Sequence, residues 1–299
     1  MKAILAGCAR RFERHAHRIS VIILILMLSA CTHLPGLSSP AADALKQKAY
    51  EGDPVSQYQL GLRYSSGTGV WQSDSTAAEW FEKAAIQGNA DAAYMLGIDY
   101  YTGRGVAQGY FQASRWFEQA AEQGHPRAQY QLAAAYMNGQ GVKRDQAWAA
   151  RWYGKAANQG HADAQFSLGV AFARGLGLPV HPLQACKWLI LADKSNATQA
   201  RQGAVKDKVC SGLEKDQQQR AEYLAKRWRP RTADTGYADS PTIFYIQYRL
   251  SQLGYKPGYA DGFRGPQTDR AIDQYLKGSG ISSRPSSKAI VNRLRKANG

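Results

Sequence analysis

Side chains able to carry chemistry are few in this chain, and they are scattered. Beyond residue 30 the histidines are His33, His125, His161 and His181, too far apart in sequence to form an obvious metal site. His125 and His161 fall at a turn position held elsewhere by Asp53 and Asn89, which reads them as polar turn residues. Glu79 and Glu82 would share one helix beside Lys83, the arrangement of a solvated face rather than an acid–base pair. No serine stands in an S-x-x-K or G-x-S-x-G setting, and neither H-E-x-x-H nor a phosphate loop occurs. No catalytic residue, cofactor or metal is therefore expected. The densest group of binding-type side chains is Tyr255, Tyr259, Phe263 and Arg264 in one turn-rich stretch, offering aromatic faces and a guanidinium for carboxylates.

The elements that must position these residues come from a repeat. Trp80, Trp116, Trp152 and Trp188 stand 36 residues apart, as do Leu60, Leu96, Leu132 and Leu168, and Gly69, Gly105, Gly141 and Gly177. A fixed period of this length marks a solenoid, whose units bury their apolar faces against one another. In the second copy Tyr94, Leu96, Gly97, Tyr100 and Tyr101 share one face of a first helix. Gly103-Arg104-Gly105-Val106 breaks it, and Ala113, Trp116, Phe117, Ala120 and Ala121 line a second helix ending at Gly124. The small residue after each leucine (Gly61, Gly97, Ala133, Gly169) lets the two helices approach closely.

At these positions the chain resembles the Sel1-like repeat family, whose units run A-x-x-x-L-G-x-x-Y, G-x-G-V, A-x-x-W-x-x-K-A-A-x-x-G. The third copy carries Ala128, Leu132, Tyr136, Gly139, Gly141, Val142, Ala149, Trp152, Lys155-Ala156-Ala157 and Gly160, with Ala133 replacing the glycine. The resemblance implies an all-α, right-handed α-solenoid with a concave surface for protein contacts. In a few family members it also implies an association with cell-envelope β-lactam chemistry.

At the start, Lys2, Arg10, Arg11, Arg14 and Arg18 precede an apolar run from Ile19 to Leu28, the outline of a secretory leader. Leu28-Ser29-Ala30-Cys31 resembles the lipobox of bacterial lipoproteins, which implies a signal peptide over 1–30 and acylation of Cys31. An uncleaved inner-membrane anchor is the alternative, opposed by a run about half the ~20 residues a span needs. Thr32 in place of the aspartate of the retention signal implies the periplasmic face of the outer membrane. Several acyl chains, at about 0.8 kcal/mol per buried methylene, make such an anchor effectively permanent.

With Cys8 removed in the leader and Cys31 taken by lipid, Cys186 and Cys210 remain as a pair in an oxidising compartment. A disulfide between them is expected, two buried free thiols being the alternative. Residues 31–40 read as a tether, 41–228 as the repeat solenoid with capping helices at both ends, and 229–240 as a linker.

Residues 241–299 change character. Leu250-x-x-Leu253-Gly254-Tyr255, Gly258, Asp261-Gly262-x-x-Gly265-Pro266-x-Thr268 and Ala271-Ile272 resemble the three-helix peptidoglycan-binding domain. Tyr275-Leu276 stands where that family often has phenylalanine-glutamine. The resemblance implies a small three-helix domain, with Tyr255, Tyr259, Asp261, Phe263, Arg264 and Thr268 as ligand candidates. Asp261 and Thr268 also read as turn-shaping and helix-buttressing residues.

Charge points to an anionic neighbour. The chain carries +15, and residues 229–299 hold twelve basic against five acidic side chains. For an exported protein this fits wall carboxylates or phosphate-bearing lipids better than nucleic acid. The expected function is a non-enzymatic envelope lipoprotein scaffold holding peptidoglycan at its end and an envelope protein on its repeats. Two alternatives stand beside it: an accessory or regulator of a wall-synthesis, hydrolysis, secretion or polysaccharide-export apparatus, and a wall-active or β-lactam hydrolase.

Overall fold

The computed structural model describes residues 40–195, 200–230, 240–258, 264–281 and 285–297. Among them the protein is all-helical, an α-solenoid of helical hairpins with fourteen helices and no strand. Cys31, the leader at 1–30 and most of the segments at 31–40 and 229–240 lie outside the described residues.

One unit comprises residues 40–89 with 104–106. It contains α1 (Pro40–Tyr50), α2 (Pro54–Ser66) and α3 (Asp74–Ile86). Asp53 caps α2 by accepting a 2.7 Å bond from the Ser56 amide, satisfying one of the amides a helix start leaves orphaned. Gly61 lies so close to α3 that a Cβ there would stand 2.6 Å from the Phe81 ring. Trp80 is buried with Ala49 and Leu60 and meets Tyr50 edge-on at 5.1 Å, so α1 covers the first hairpin.

The second unit comprises residues 90–103 and 107 onward. Its helices are α4 (Ala90–Thr102), α5 (Tyr110–Glu122), α6 (Pro126–Asn138), α7 (Gln146–Asn158), α8 (Ala162–Arg174) and α9 (Pro182–Ser195). After these come α10 (Ala200–Ser211), α11 (Lys215–Arg227), α12 (Ser240–Gln252), α13 (Pro266–Gly278) and α14 (Ser287–Lys296). From α4 to α9 each helix packs on the next.

Two glycine positions explain the period. A Cβ at Gly97 would meet Phe117 at 2.5 Å, so the small residue after the recurring leucine seats the aromatic of the second helix. At Gly141, φ is +71° and a Cβ would lie 2.1 Å from the Tyr110 carbonyl oxygen. The second glycines of the later Gly-x-Gly loops, Gly105, Gly141 and Gly177, are thus pressed onto the start of the preceding repeat's second helix, where no side chain fits.

Repeats are also joined by buried amides. Gln129 and Gln165 donate to the carbonyls of Ala121 (3.1 Å) and Ala157 (3.2 Å), and Gln159 donates to the Gln129 side chain at 2.9 Å. The first unit repeats the pattern, Gln57 donating to Ala49 and Gln87 to Gln57. In the low-dielectric interior each of these bonds fixes the register between helices, since breaking it strands a buried donor.

At the far end a disulfide joins Cys186 of α9 to Cys210 of α10. Around it Leu183, Ile190 and Val209 pack with Leu213 and Ala221, so α10 and α11 cover α9.

Candidate functional site

The chain's last three helices share a core: Ile243, Ile246 and Leu250 of α12, Ala271, Ile272 and Leu276 of α13, and Ile290, Val291 and Leu294 of α14 are buried. That core uses one side of α12. The other side packs on α7, and α12 is covered on nearly every face from Thr242 to Leu250, its polar Thr242, Gln247 and Arg249 included. Tyr245 is 0% exposed and meets the Trp148 ring edge-on with centroids 5.2 Å apart; Phe244 meets Phe172 of α8 at 5.0 Å. Burial drives the Tyr245 phenol far above the ordinary tyrosine range, the nearby Arg249 cation opposing it.

A guanidinium completes the joint. Arg295 of α14 lies 4.9 Å over the Tyr136 ring and 4.7 Å over the Trp148 ring, donates to the Tyr136 hydroxyl, and faces Glu118 at 3.7 Å. From the repeat side, Arg151 stacks 4.8 Å over Trp148 and 5.1 Å over Trp152. Such stacked cations contribute about 0.5–2 kcal/mol each, more where water is excluded.

On the module itself a hollow of about 530 Å³ opens beside the turn after α12, lined by Tyr255, Lys256, Gly258, Gln267, Arg270 and Gln274. Tyr255 is held edge-on against Tyr275 at 5.8 Å. Gln267, Arg270 and Gln274 lie three and four residues apart and so share one face of α13, while Ala271, Ile272 and Tyr275 point inward. One aromatic ring, two amides and two cations are suited to a polar, anionic ligand with C–H faces.

Of the six residues expected to touch a ligand, Tyr255, Arg264 and Thr268 are described, and among these only Tyr255 lines this hollow. Arg264 is paired with Asp269 at 2.7 Å. Thr268 is 2% exposed; its hydroxyl accepts from Gln247 and donates to the Pro257 carbonyl, both at 3.0 Å. It braces the turn against α12 rather than facing ligand. Tyr259, Asp261 and Phe263 lie outside the described residues. Lys256, Gln267, Arg270 and Gln274 went unnoticed in the sequence, although the α13 spacing was there to read.

The turn histidines are helix caps. His125 Nδ1 accepts from the Ala128 amide at 3.1 Å and His161 Nδ1 from Ala164 at 3.3 Å. Tyr94 and Tyr130 stack on their rings at 4.7 and 4.9 Å. Burial pulls both imidazoles below the ordinary histidine range, with Asp91 opposing it at His125 and Asp163 at His161. A neutral ring is what a cap requires, since Nδ1 must keep its lone pair. Among the described residues no group of three metal-ligating side chains is assembled, and no helix is long and apolar enough to cross a membrane.

The family model of the Sel1 repeat matches residues 54–89, 90–125, 126–161 and 162–192. The repeats of this chain are similar to Sel1 repeats. Among the solved structures similar to it are two with a TM-score of 0.51 each. One is a Sel1 repeat protein from Oxalobacter formigenes, 39% identical over 55% of this chain and 47% of its own. The other is a protective antigen present in uropathogenic Escherichia coli strains and displaying an SLR fold, 28% identical over 86% of this chain and 49% of its own. The chain therefore spans about half the length of either. Comparison with curated proteins found no match. The α7–α8 surface of the repeats already receives α12 of the same chain.

Proposed function

We propose that this protein is a non-enzymatic lipoprotein scaffold of the bacterial envelope. It is anchored through acylated Cys31 at the periplasmic face of the outer membrane, binds peptidoglycan through residues 241–299, and holds a protein partner on its repeats. The hollow at Tyr255 and Arg270 carries the reading: it lies at the turn whose Leu253-Gly254-Tyr255 motif resembles the peptidoglycan-binding domain, and its ring, amides and cations match the sugar faces and stem-peptide carboxylates of the wall. The twelve-to-five excess of basic residues over 229–299 supports an anionic ligand.

The docking of α12 on α7 favours one refinement, an accessory role in an envelope apparatus. Wall contact at α13 and partner contact on the repeats would then be carried by elements packed together through α12. Cosedimentation of the full-length chain, in detergent, with purified peptidoglycan tests the wall contact; the Tyr255→Ala and Arg270→Gln variants should pellet less. Anchoring is tested by fractionation: Cys31→Ser should move the protein from the membrane to the soluble fraction.

A further inference from the structure

Two hollows lie along the joint between the repeats and the terminal helices, one of about 590 Å³ and one of about 960 Å³. Lys143 and Arg295 line both, so the two form one cleft. Six cations face it: Lys143 and Arg144 from the α6–α7 loop, Arg115 from α5, Arg249 from α12, and Arg295 and Lys296 from α14. Its three carboxylates are already engaged. Asp145 accepts from the Trp148 amide at 2.9 Å, Glu118 faces Arg295, and Glu122 faces Lys288 at 3.6 Å.

The loop cations are a departure of the third repeat. The corresponding pairs are Trp71-Gln72, Ala107-Gln108 and Pro179-Val180, and in the first two Gln72 and Gln108 close back onto the Ser65 and Tyr101 carbonyls at 3.1 and 2.9 Å. Lys143 and Arg144 instead extend exposed side chains where α12 and α14 bring Arg249 and Arg295. Against the three carboxylates, the six cations leave an excess of three positive charges gathered from three parts of the chain, which a bound anion would relieve.

The larger hollow adds Trp116, half-buried although its counterparts Trp80, Trp152 and Trp188 are buried, with the amides of Gln112, Gln119 and Asn292 around it. A flat ring beside amides suits a pyranose, whose C–H face stacks while its hydroxyls exchange hydrogen bonds. The cleft offers no sheet edge and no row of apolar side-chain pockets, the features by which peptides are gripped.

We propose that this cleft binds a carboxylate-bearing oligosaccharide, stacked on Trp116 and held through its carboxylates by Lys143 and Arg144. The ligand bridges repeat and terminal helices and so locks α12 and α14 in place. This site is separate from the hollow at Tyr255, and the two stand or fall independently.

Isothermal titration of the full-length chain with a hexamer of galacturonic acid tests it, with a neutral glucan hexamer and poly-glutamate as comparisons. The uronate hexamer should bind and weaken with added salt, while the neutral hexamer should not bind. Lys143→Gln/Arg144→Gln, on an exposed loop, and Trp116→Phe and Trp116→Ala, checked by their melting curves, follow. The loop double variant and Trp116→Ala should each lose at least tenfold in affinity. Absence of uronate binding, or binding indifferent to the loop double variant, overturns the proposal. Poly-glutamate binding as tightly and surviving Trp116→Ala would replace the glycan by an acidic peptide.

Discussion

The ring of Tyr245 stands edge-on to the ring of Trp148, 5.2 Å between centroids, across 97 residues of sequence. This contact makes the repeats and the terminal helices neighbours in one core. Truncating Tyr245 to alanine removes a fully buried ring and should cost about 3–5 kcal/mol. Urea unfolding should show the repeats and the terminal helices melting together in one lowered transition. Tyr245→Phe should be neutral or slightly stabilising, because the hydroxyl is buried with no hydrogen-bond partner among the described residues and its desolvation is relieved.

Gly97→Ala places a methyl group 2.5 Å from Phe117. The second helix must shift, at a cost of about 1–3 kcal/mol, and Phe117→Leu should recover part of the loss. Chemical denaturation midpoints of the single and double variants measure both.

Acid should loosen the repeats through His125 and His161. Both are held below their ordinary value by burial, so the unfolded chain binds protons first as pH falls. The stabilising contribution is complete above about pH 6.5, the unfolded histidine value, and is lost as pH drops through the lower folded values. Unfolding free energy measured from pH 8 to 5 should decline, and His125→Asn, which caps without titrating, should flatten that slope.

Reduction of the Cys186–Cys210 bond opens a loop of 24 residues in sequence separation. The chain-entropy model gives about 3 kcal/mol for a loop of that size. Melting with and without reductant should show that loss for the native chain and no effect of reductant on Cys186→Ser/Cys210→Ser.

What the sequence disclosed was what recurs. The period, the Gly97-type contact and the breaking loops repeat every 36 residues and were legible as hairpins. The Gln57, Gln129 and Gln165 amides also recur, yet a glutamine reads as surface by type, so their burial at 5%, 3% and 0% was missed. The docking of α12 was not read because a contact such as Arg295 to Tyr136 spans 159 positions. Two signals pointed to it. Trp148 occupies a register held by Thr76, Gln112 and Gln184, and Ile243-Phe244-Tyr245-Ile246 is too apolar for a helix with one covered face. In the terminal site, motif matching favoured Thr268, which shapes the turn, over Arg270, which faces the hollow.

The most direct test of the wall-scaffold account is pelleting of the full-length chain with purified peptidoglycan, native beside Tyr255→Ala/Arg270→Gln. The account predicts that the native protein sediments with the wall and that the double variant, equally folded by its melting curve, stays in the supernatant. Native protein remaining in the supernatant, or a double variant pelleting as fully as the native chain, would contradict the assignment of the terminal hollow to peptidoglycan.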